Sequence, residues 1–200
     1  MSHITDETLE VLRAIPTQTL IDAQWVKGWP MSYIEGAVPL QEGQHLAGRA
    51  VTLRFVPHRP DLADDKPKGA DSAEYVEIEM CGPGEVLVID AMGWKYSSVG
   101  GDIKFLRMKQ LGAGGLVTDG GVRDSVSLKE YGFPVYSASL TAKQGPAEFW
   151  PWQVNDAIQC GGALVRPGDA LVGDDDCVVV VRNGIFDECI EMAHQREEVE

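Results

Sequence analysis

The first part of the chain has apolar positions at a helical spacing. Residues 4–15 carry a partial apolar stripe that Thr5 or Asp6 can cap, which predicts a helix ending at Pro16. A second helix is predicted over residues 17–27, before a Gly-Trp-Pro sequence. We expect three of its side chains to face inward: Leu20, Ile21 and Trp25.

The middle of the chain alternates between strand and helix patterns. Residues 49–55 alternate apolar and polar side chains, which predicts a half-buried strand. Further predicted elements are strands over 85–90, 115–119 and 134–137 and helices over 102–111 and 124–131. We expect the first of these helices to face inward through Ile103, Leu106 and Leu111. Strands and helices that alternate with short connections indicate parallel crossover units.

The last third of the chain has a different pattern. Residues 163–169 and 176–181 predict strands joined by a turn at 173–176, and residues 186–194 predict a final helix. The sequence therefore predicts an α/β fold with a parallel central sheet and a second, more antiparallel layer.

Length and composition favour one folded domain. The chain has 200 residues, of which 44% are hydrophobic, and this is sufficient for a sizeable core. We expect a single domain over residues 1–200. A surface loop is expected as an insertion at about 57–71, where Pro, Asp and Lys are frequent.

The charge of the chain argues against several classes of partner. Asp and Glu total 31 against 17 Lys and Arg, a formal net charge of -14, which would repel a nucleic-acid backbone. There is no apolar run of 18 residues, and the start of the chain lacks the pattern of a secretory signal. The four cysteines and four histidines are scattered, without the spacing of a disulfide framework or a zinc site. We expect a cytoplasmic protein that binds neither nucleic acid nor membrane.

Two Gly- and Asp-rich segments mark a candidate site. Residues 100–102 and 119–124 follow strands of the predicted sheet, and ligands bind at the carboxyl ends of such strands. Asp102 is separated from Arg123 and Asp124 by twenty residues, enough for one helix and one strand to return the chain to the same edge.

These residue types suit a metal ion and an anion. The carboxylates of Asp102 and Asp124 can hold Mg²⁺ or Mn²⁺, directly or through water. The guanidinium of Arg123 can bind a substrate carboxylate, and backbone N–H groups over residues 101–104 can hold an anion at a helix N-terminus. Both aspartates could instead be simple helix caps, and Arg123 could form a surface ion pair; spacing alone leaves this open.

The same residues carry a family resemblance. The sequence resembles the 4-hydroxy-4-methyl-2-oxoglutarate aldolase family, which shares its fold with the regulator of ribonuclease activity A. The matching segments are residues 17–23, 48–52, 83–90, 100–102, 115–124, 132–135 and 167–169. The resemblance implies a three-layer β/β/α domain of the swivelling type and a homotrimer or homohexamer with active sites between subunits.

The resemblance also implies a reaction and roles for the site. It implies a class II, metal-dependent aldolase that cleaves a 4-hydroxy-2-oxo acid, such as 4-hydroxy-4-methyl-2-oxoglutarate, to pyruvate. It also implies decarboxylation of oxaloacetate, as in many members of the family. By this resemblance Asp124 would bind Mg²⁺ or Mn²⁺ directly, and Asp102 would bind the metal through water. Arg123 would bind and polarise the pyruvyl group, with Gly101, Asp102, Ile103 and Lys104 also in contact with the substrate.

Three features depart from the resemblance or leave its implications open. Lys104 stands where the family commonly has a small or apolar residue. It could extend the cationic site towards a second substrate carboxylate, could point to solvent, or could form a Schiff base. A carboxylate from a neighbouring subunit's C-terminal tail could complete the site, with Glu197, Glu198 and Glu200 as candidates. The rival function is a non-catalytic regulator that binds a ribonuclease E-type partner through its acidic surface.

Overall fold

The computed structural model describes residues 3–30 and 32–197. Glu198 and Glu200 lie outside the described residues, as does the side chain of Glu197. Within the described part of the chain, no helix is long and apolar enough to cross a membrane.

The chain forms a mixed sheet with helices packed against it. The helices are α1 (Asp6–Arg13), α2 (Thr17–Val26), α3 (Ala73–Met80), α4 (Asp102–Leu111), α5 (Ser125–Tyr131) and α6 (Phe186–Glu197). The strands are β1 (Val38–Pro39), β2 (Leu46–Pro57), β3 (Glu85–Asp90), β4 (Gly115–Val122), β5 (Val135–Leu140), β6 (Phe149–Val154), β7 (Ile158–Cys160), β8 (Ala163–Val165), β9 (Ala170–Gly173) and β10 (Val178–Val181).

The sheet has a parallel centre and antiparallel flanks. Its order is β1-β5-β4-β3-β2-β9-β10, and β2 to β5 pair in parallel, as crossover units require. The first half of β2 pairs with β9 and its second half with β6, both antiparallel. A separate two-stranded sheet is formed by β7 and β8. The predicted α/β class is confirmed.

Strand β3 shows why the centre of the sheet is stable. Val86 and Val88 pack on one face, and Leu87 and Ile89 pack on the other, as the two-residue repeat of a strand requires. All four are buried, and each such side chain contributes about 1.5–3 kcal/mol through burial. Because both faces are covered, the carboxyl ends of the strands are where loops can form a site.

Three burial predictions were wrong. Trp25 is 68% exposed, and Ile103 is 80% exposed, while Phe105 and Met108 form the buried side of α4. Strand β2 is buried on both faces rather than half-buried, because it lies inside the sheet between β3 on one edge and β9 and β6 on the other. The order of apolar and polar residues within one segment does not show which strands or helices will pack beside it.

Helix α3 was not predicted at all. Its buried face includes Glu77 beside Ile78, and a buried glutamate interrupts the apolar stripe by which a helix is recognised. The segment before it, residues 57–71, is largely exposed and holds two short 3-10 turns at Pro60–Leu62 and Gly69–Asp71, so the surface loop is observed after β2.

The C-terminal strands are shorter than predicted. The expected strand over 163–169 ends at Val165 as β8, and a turn in which Gly168 has φ +83° leads to β9, which was not predicted. The turn that follows runs over residues 174–177, one residue later than expected. Strands β6 and β7 were also missed. For β6 the reason is Pro151, since proline argues against a strand; β7 has only three residues.

Candidate functional site

The starts of α4 and α5 lie side by side at the carboxyl ends of β3 and β4. The backbone N–H of Arg123 donates to the carbonyl of Gly100 at 3.2 Å. The carboxylate of Asp124 accepts from the backbone N–H of Asp102, also at 3.2 Å. The intervening helix and strand therefore return the chain to the same edge, where these two segments are joined by hydrogen bonds.

Asp124 has an unusual backbone conformation. It stands at the N-cap position of α5 with φ +60°, in the left-handed region, and makes no side-chain bond to its own helix. A non-glycine residue is uncommon there and costs of the order of 1–3 kcal/mol. The carboxylate reaches α4 instead, so the simple explanation that Asp124 caps the helix it precedes does not hold.

Gly101 lies so close to the side chains of Arg123 and Asp124 that only a glycine fits there. A Cβ built at Gly101 would lie 2.1 Å from Oδ2 of Asp124 and 2.9 Å from Cγ of Arg123. No side chain fits at this position without moving both functional groups.

Arg123 lies between the carboxylate and the open side of the site. Its Nε is 3.3 Å from Oδ2 of Asp124, and its side chain is 43% exposed. Nε is the guanidinium atom nearest Asp124, and the guanidinium also lines the cavity described below, where it can offer a planar fork to a carboxylate.

The N-terminus of α4 already donates hydrogen bonds to carboxylate groups. The N–H of Asp102 donates to Asp124, and the N–H of Ile103 donates to Oδ1 of Asp102 at 2.8 Å. The unpaired N–H groups of a helix N-terminus favour anions. A substrate carboxylate at this position would exchange with one of these two side chains.

A cavity of about 310 Å³ opens at these groups. It is lined by Tyr75 of α3, by residues 98–101, by the first turn of α4, by Arg123 and by residues 144–146. Gly145 allows the last segment to pack closely, since a Cβ there would lie 2.0 Å from the carbonyl oxygen of Ser98. All five residues predicted to contact substrate line this cavity: Gly101, Asp102, Ile103, Lys104 and Arg123.

Lys104 is held by a residue that the sequence analysis did not single out. Its Nζ donates to Oε2 of Glu74 at 2.5 Å, and the two side chains are only 22% and 20% exposed. The Lys104 side chain therefore does not point freely to solvent. Neither Glu74 nor the lining residues Tyr75 and Gln144 carries a local sequence signal, because only the folded chain brings α3 and the 144–146 segment to this edge.

Two carboxylates at this position are compatible with a magnesium-type site. Within the described residues, no group of three or more His, Cys, Asp or Glu side chains could hold a metal ion. Mg²⁺ commonly binds proteins through one or two carboxylates and keeps several waters. Asp102 and Asp124, joined by the hydrogen bond from the Asp102 N–H to the Asp124 carboxylate, fit that pattern.

Comparison with known proteins places this chain in a family. Residues 17–180 match the model of the RraA-like family, which is described as aldolase/RraA. The chain belongs to the RraA-like family. The matched residues include Asp102, Arg123 and Asp124.

The similar RraA-like proteins have two kinds of name. A Halalkalibacterium halodurans protein called "Putative 4-hydroxy-4-methyl-2-oxoglutarate aldolase" is 29% identical over 198 residues, which cover 98% of this chain and 87% of that protein. The crystal structure of Streptomyces coelicolor RraAS2, described as an unusual member of the RNase ES inhibitor RraA protein family, is 30% identical with a TM-score of 0.90. It covers all of this chain and 96% of that chain.

A second solved structure supports the fold alone. The RNA-processing inhibitor RraA from Thermus thermophilis is 23% identical with a TM-score of 0.60, over 80% of this chain and 90% of that chain. The RraA-like family thus contains proteins named as aldolases and proteins named as ribonuclease inhibitors.

Proposed function

We propose that this protein is a divalent-metal-dependent aldolase that cleaves a 4-hydroxy-2-oxo acid to release pyruvate. The observation that carries the proposal is that Asp102, Arg123 and the N-terminus of α4 line one cavity. Asp124 joins this group from behind, through the Asp102 N–H and the guanidinium of Arg123. A surface ion pair or a simple helix cap would need neither a cavity beside it nor a glycine at position 101 to let the side chains of Arg123 and Asp124 approach the backbone.

Asp124 and Asp102 are the residues that would hold Mg²⁺ or Mn²⁺. When bound, such a cation stabilises the negative charge that develops on the 2-oxo oxygen. The N-terminus of α4 adds a positive potential in the same direction.

Arg123 orients the substrate. In this proposal its two terminal nitrogens bind the pyruvyl carboxylate and oxygen, while its Nε faces Asp124. A charge-assisted bond of this kind strengthens as the enolate forms, so Arg123 stabilises the transition state more than the bound substrate.

Cleavage breaks the bond between C3 and C4 of the substrate. The 4-hydroxyl loses its proton and becomes a carbonyl, and the electron pair of the broken bond passes to C3 as a pyruvate enolate. Asp102 lines the cavity and is the carboxylate that we assign to accept the hydroxyl proton. Protonation of C3 then gives pyruvate. Decarboxylation of oxaloacetate passes through the same enolate, so we expect that activity as well.

A pyruvate-release assay tests the proposal. The protein is incubated with 4-hydroxy-4-methyl-2-oxoglutarate, with 4-hydroxy-4-methyl-2-oxopentanoate and with oxaloacetate, each with Mg²⁺ or Mn²⁺ and then with EDTA. We expect release that depends on the metal and stops with EDTA. Absence of metal-dependent release from all three would refute the proposed activity.

The regulator remains a second candidate because of the S. coelicolor comparison. In that function the acidic surface would bind a ribonuclease E-type partner and no reaction would occur. The combination of Asp102, Arg123 and Asp124 argues for the enzyme, because a binding module has no need for it. Ribonuclease co-purification that is unaffected by Asp124→Ala, without pyruvate release, would favour the regulator.

We also propose that the protein is a homotrimer or homohexamer with its site near a subunit boundary. Ile103 and Val126, in the first turns of α4 and α5, are 80% and 71% exposed beside the site. Large apolar side chains in this position suit an interface. Light scattering measures the number of subunits, and a monomer at assay concentration would contradict this part of the proposal.

A further inference from the structure

The cavity has a second charged feature beyond the Asp102–Arg123–Asp124 group. Lys104 in α4 and Glu74 in α3 form an ion pair with Nζ and Oε2 2.5 Å apart. The aromatic ring of Tyr75 lies 6.0 Å from the same Nζ. Both charged side chains are about four-fifths buried, so the pair is only weakly screened by water.

Of the basic side chains on the cavity wall, only one is left to bind a carboxylate of the substrate. Among the described residues that line it, the basic ones are Arg123 and Lys104. Glu74 compensates the charge of Lys104 at 2.5 Å, whereas Arg123 lies 3.3 Å from Asp124 through Nε and is 43% exposed. A ligand with a single carboxylate is therefore matched, and a second carboxylate is not.

We propose that the Glu74–Lys104 pair makes the cavity select against a second carboxylate, so that the preferred substrate is a 2-oxo monocarboxylate with an uncharged tail. This inference rests on the proposed function, because it assumes that Arg123 binds the 2-oxo carboxylate. It replaces the sequence-based hypothesis that Lys104 extends the cationic site.

The remaining N–H groups of Lys104 do not remove the penalty. A carboxylate within hydrogen-bonding distance of Nζ would also lie close to Glu74, and like charges that approach in a partly buried site repel each other. The wall of the same cavity includes the side chains of Tyr75, Ile103 and Pro146. These suit a methyl or hydroxymethyl group better than a carboxylate.

Two ligands of equal length test the inference. 2-Oxopentanoate and 2-oxoglutarate share a five-carbon 2-oxo acid chain and differ at the far end, a methyl group against a carboxylate. Neither carries a 4-hydroxyl, so neither can be cleaved, and binding is measured by calorimetry on the full chain with saturating Mg²⁺. We expect the native protein to bind 2-oxopentanoate about tenfold more tightly.

Variants of the pair connect this preference to Glu74. Glu74→Gln removes the repelling charge and should raise affinity for 2-oxoglutarate about tenfold, with less than about a threefold change for 2-oxopentanoate. Lys104→Met should not raise affinity for 2-oxoglutarate. The matched control is Glu79→Gln, since Glu79 also pairs α3 with α4, through Arg107, at an exposed position outside the cavity; it should leave the ratio unchanged. Circular dichroism confirms that each variant is folded.

Three results would overturn the inference. These are a native preference for 2-oxoglutarate that Lys104→Met abolishes, a ratio that Glu74→Gln leaves unchanged, and no binding of either ligand. Failure of the proposed function is distinguishable: a native protein that prefers 2-oxopentanoate but releases no pyruvate from any 4-hydroxy-2-oxo acid keeps the binding preference and loses the aldolase assignment.

Discussion

The carboxylate of Asp124 binds the backbone N–H of Asp102 across a gap of twenty-two residues in sequence. This bond ties the start of α5 to the start of α4 and holds Asp124 in a left-handed conformation. The energy cost of that conformation is offset by the contacts that the Asp124 carboxylate makes with the Asp102 N–H and with Arg123. The site is therefore set by the backbone geometry of two loops rather than by side chains on one element.

Gly101→Ala should damage the site more than the fold. The new methyl group would clash with the Asp124 carboxylate and the Arg123 side chain, and these are flexible ends that can move. We expect kcat/KM to fall by about a hundredfold, because small displacements of catalytic groups have effects of this size, while the free energy of unfolding falls by less than about 1 kcal/mol.

Gly184→Ala is the control for that substitution. A Cβ at Gly184 meets no atom within 4 Å, and its φ is not in the left-handed region. It should change neither activity nor stability. A Gly101→Ala protein with native activity would show that the close approach at Gly101 has no functional purpose.

Arg123→Lys should weaken substrate binding although the charge is kept. Lysine is a point charge and cannot form the planar fork that we assign to the guanidinium. The loss of one charge-assisted bond corresponds to about a tenfold to hundredfold decrease in kcat/KM. The control is Arg107→Lys, at an exposed position on α4 where Arg107 pairs with Glu79 of α3. Its kcat/KM should stay within about twofold of the native value. Equal effects of the two substitutions would remove Arg123 from the proposed mechanism.

Glu77 should make stability depend on pH. Its carboxyl is fully buried in α3, and both oxygens lack a hydrogen-bond partner within the described residues. Burial raises the pKa of Glu77 well above its ordinary value of 4.5. Between these two pKa values the unfolded chain loses the proton and the folded chain keeps it, so stability falls as pH rises, by about 1.4 kcal/mol per pH unit.

Glu77→Gln should remove that dependence. Glutamine is neutral at every pH, so the variant should gain stability relative to the native protein as pH rises above about 4.5, as measured by urea unfolding. Glu79→Gln should behave oppositely, because Arg107 lowers the pKa of Glu79 and stabilises its charged form. Parallel stability curves for the native protein and Glu77→Gln would contradict the prediction.

The geometry of the site could be predicted where one crossover unit contains it. The segment from Asp102 to Asp124 is one helix and one strand, and the rules of parallel sheets return such a segment to the same edge. The helix limits at Asp102 and Leu111 are also as predicted, because Gly112 ends the helix in the left-handed conformation.

The far wall of the cavity could not be predicted in this way. Tyr75, which lines the cavity, and Glu74, which pairs with Lys104, both lie in α3. The buried Glu77 interrupts the apolar pattern of this helix, so the pattern does not predict it. Gln144 and Pro146 come from a loop with no pattern of its own. Which side chain compensates Lys104 depends on how α3 packs against α4, and no short sequence segment records that contact.

The most direct test of the account is pyruvate release by the native protein and by Asp124→Asn, measured as Mg²⁺ is titrated. Asparagine keeps the size of the side chain and loses the charge, so the fold should be retained while the metal and the orientation of Arg123 are lost. We predict Mg²⁺-dependent release by the native protein and a decrease of at least about a hundredfold in kcat for Asp124→Asn, even at high Mg²⁺. Equal, metal-independent pyruvate release by both proteins, or none by the native protein, would contradict the account.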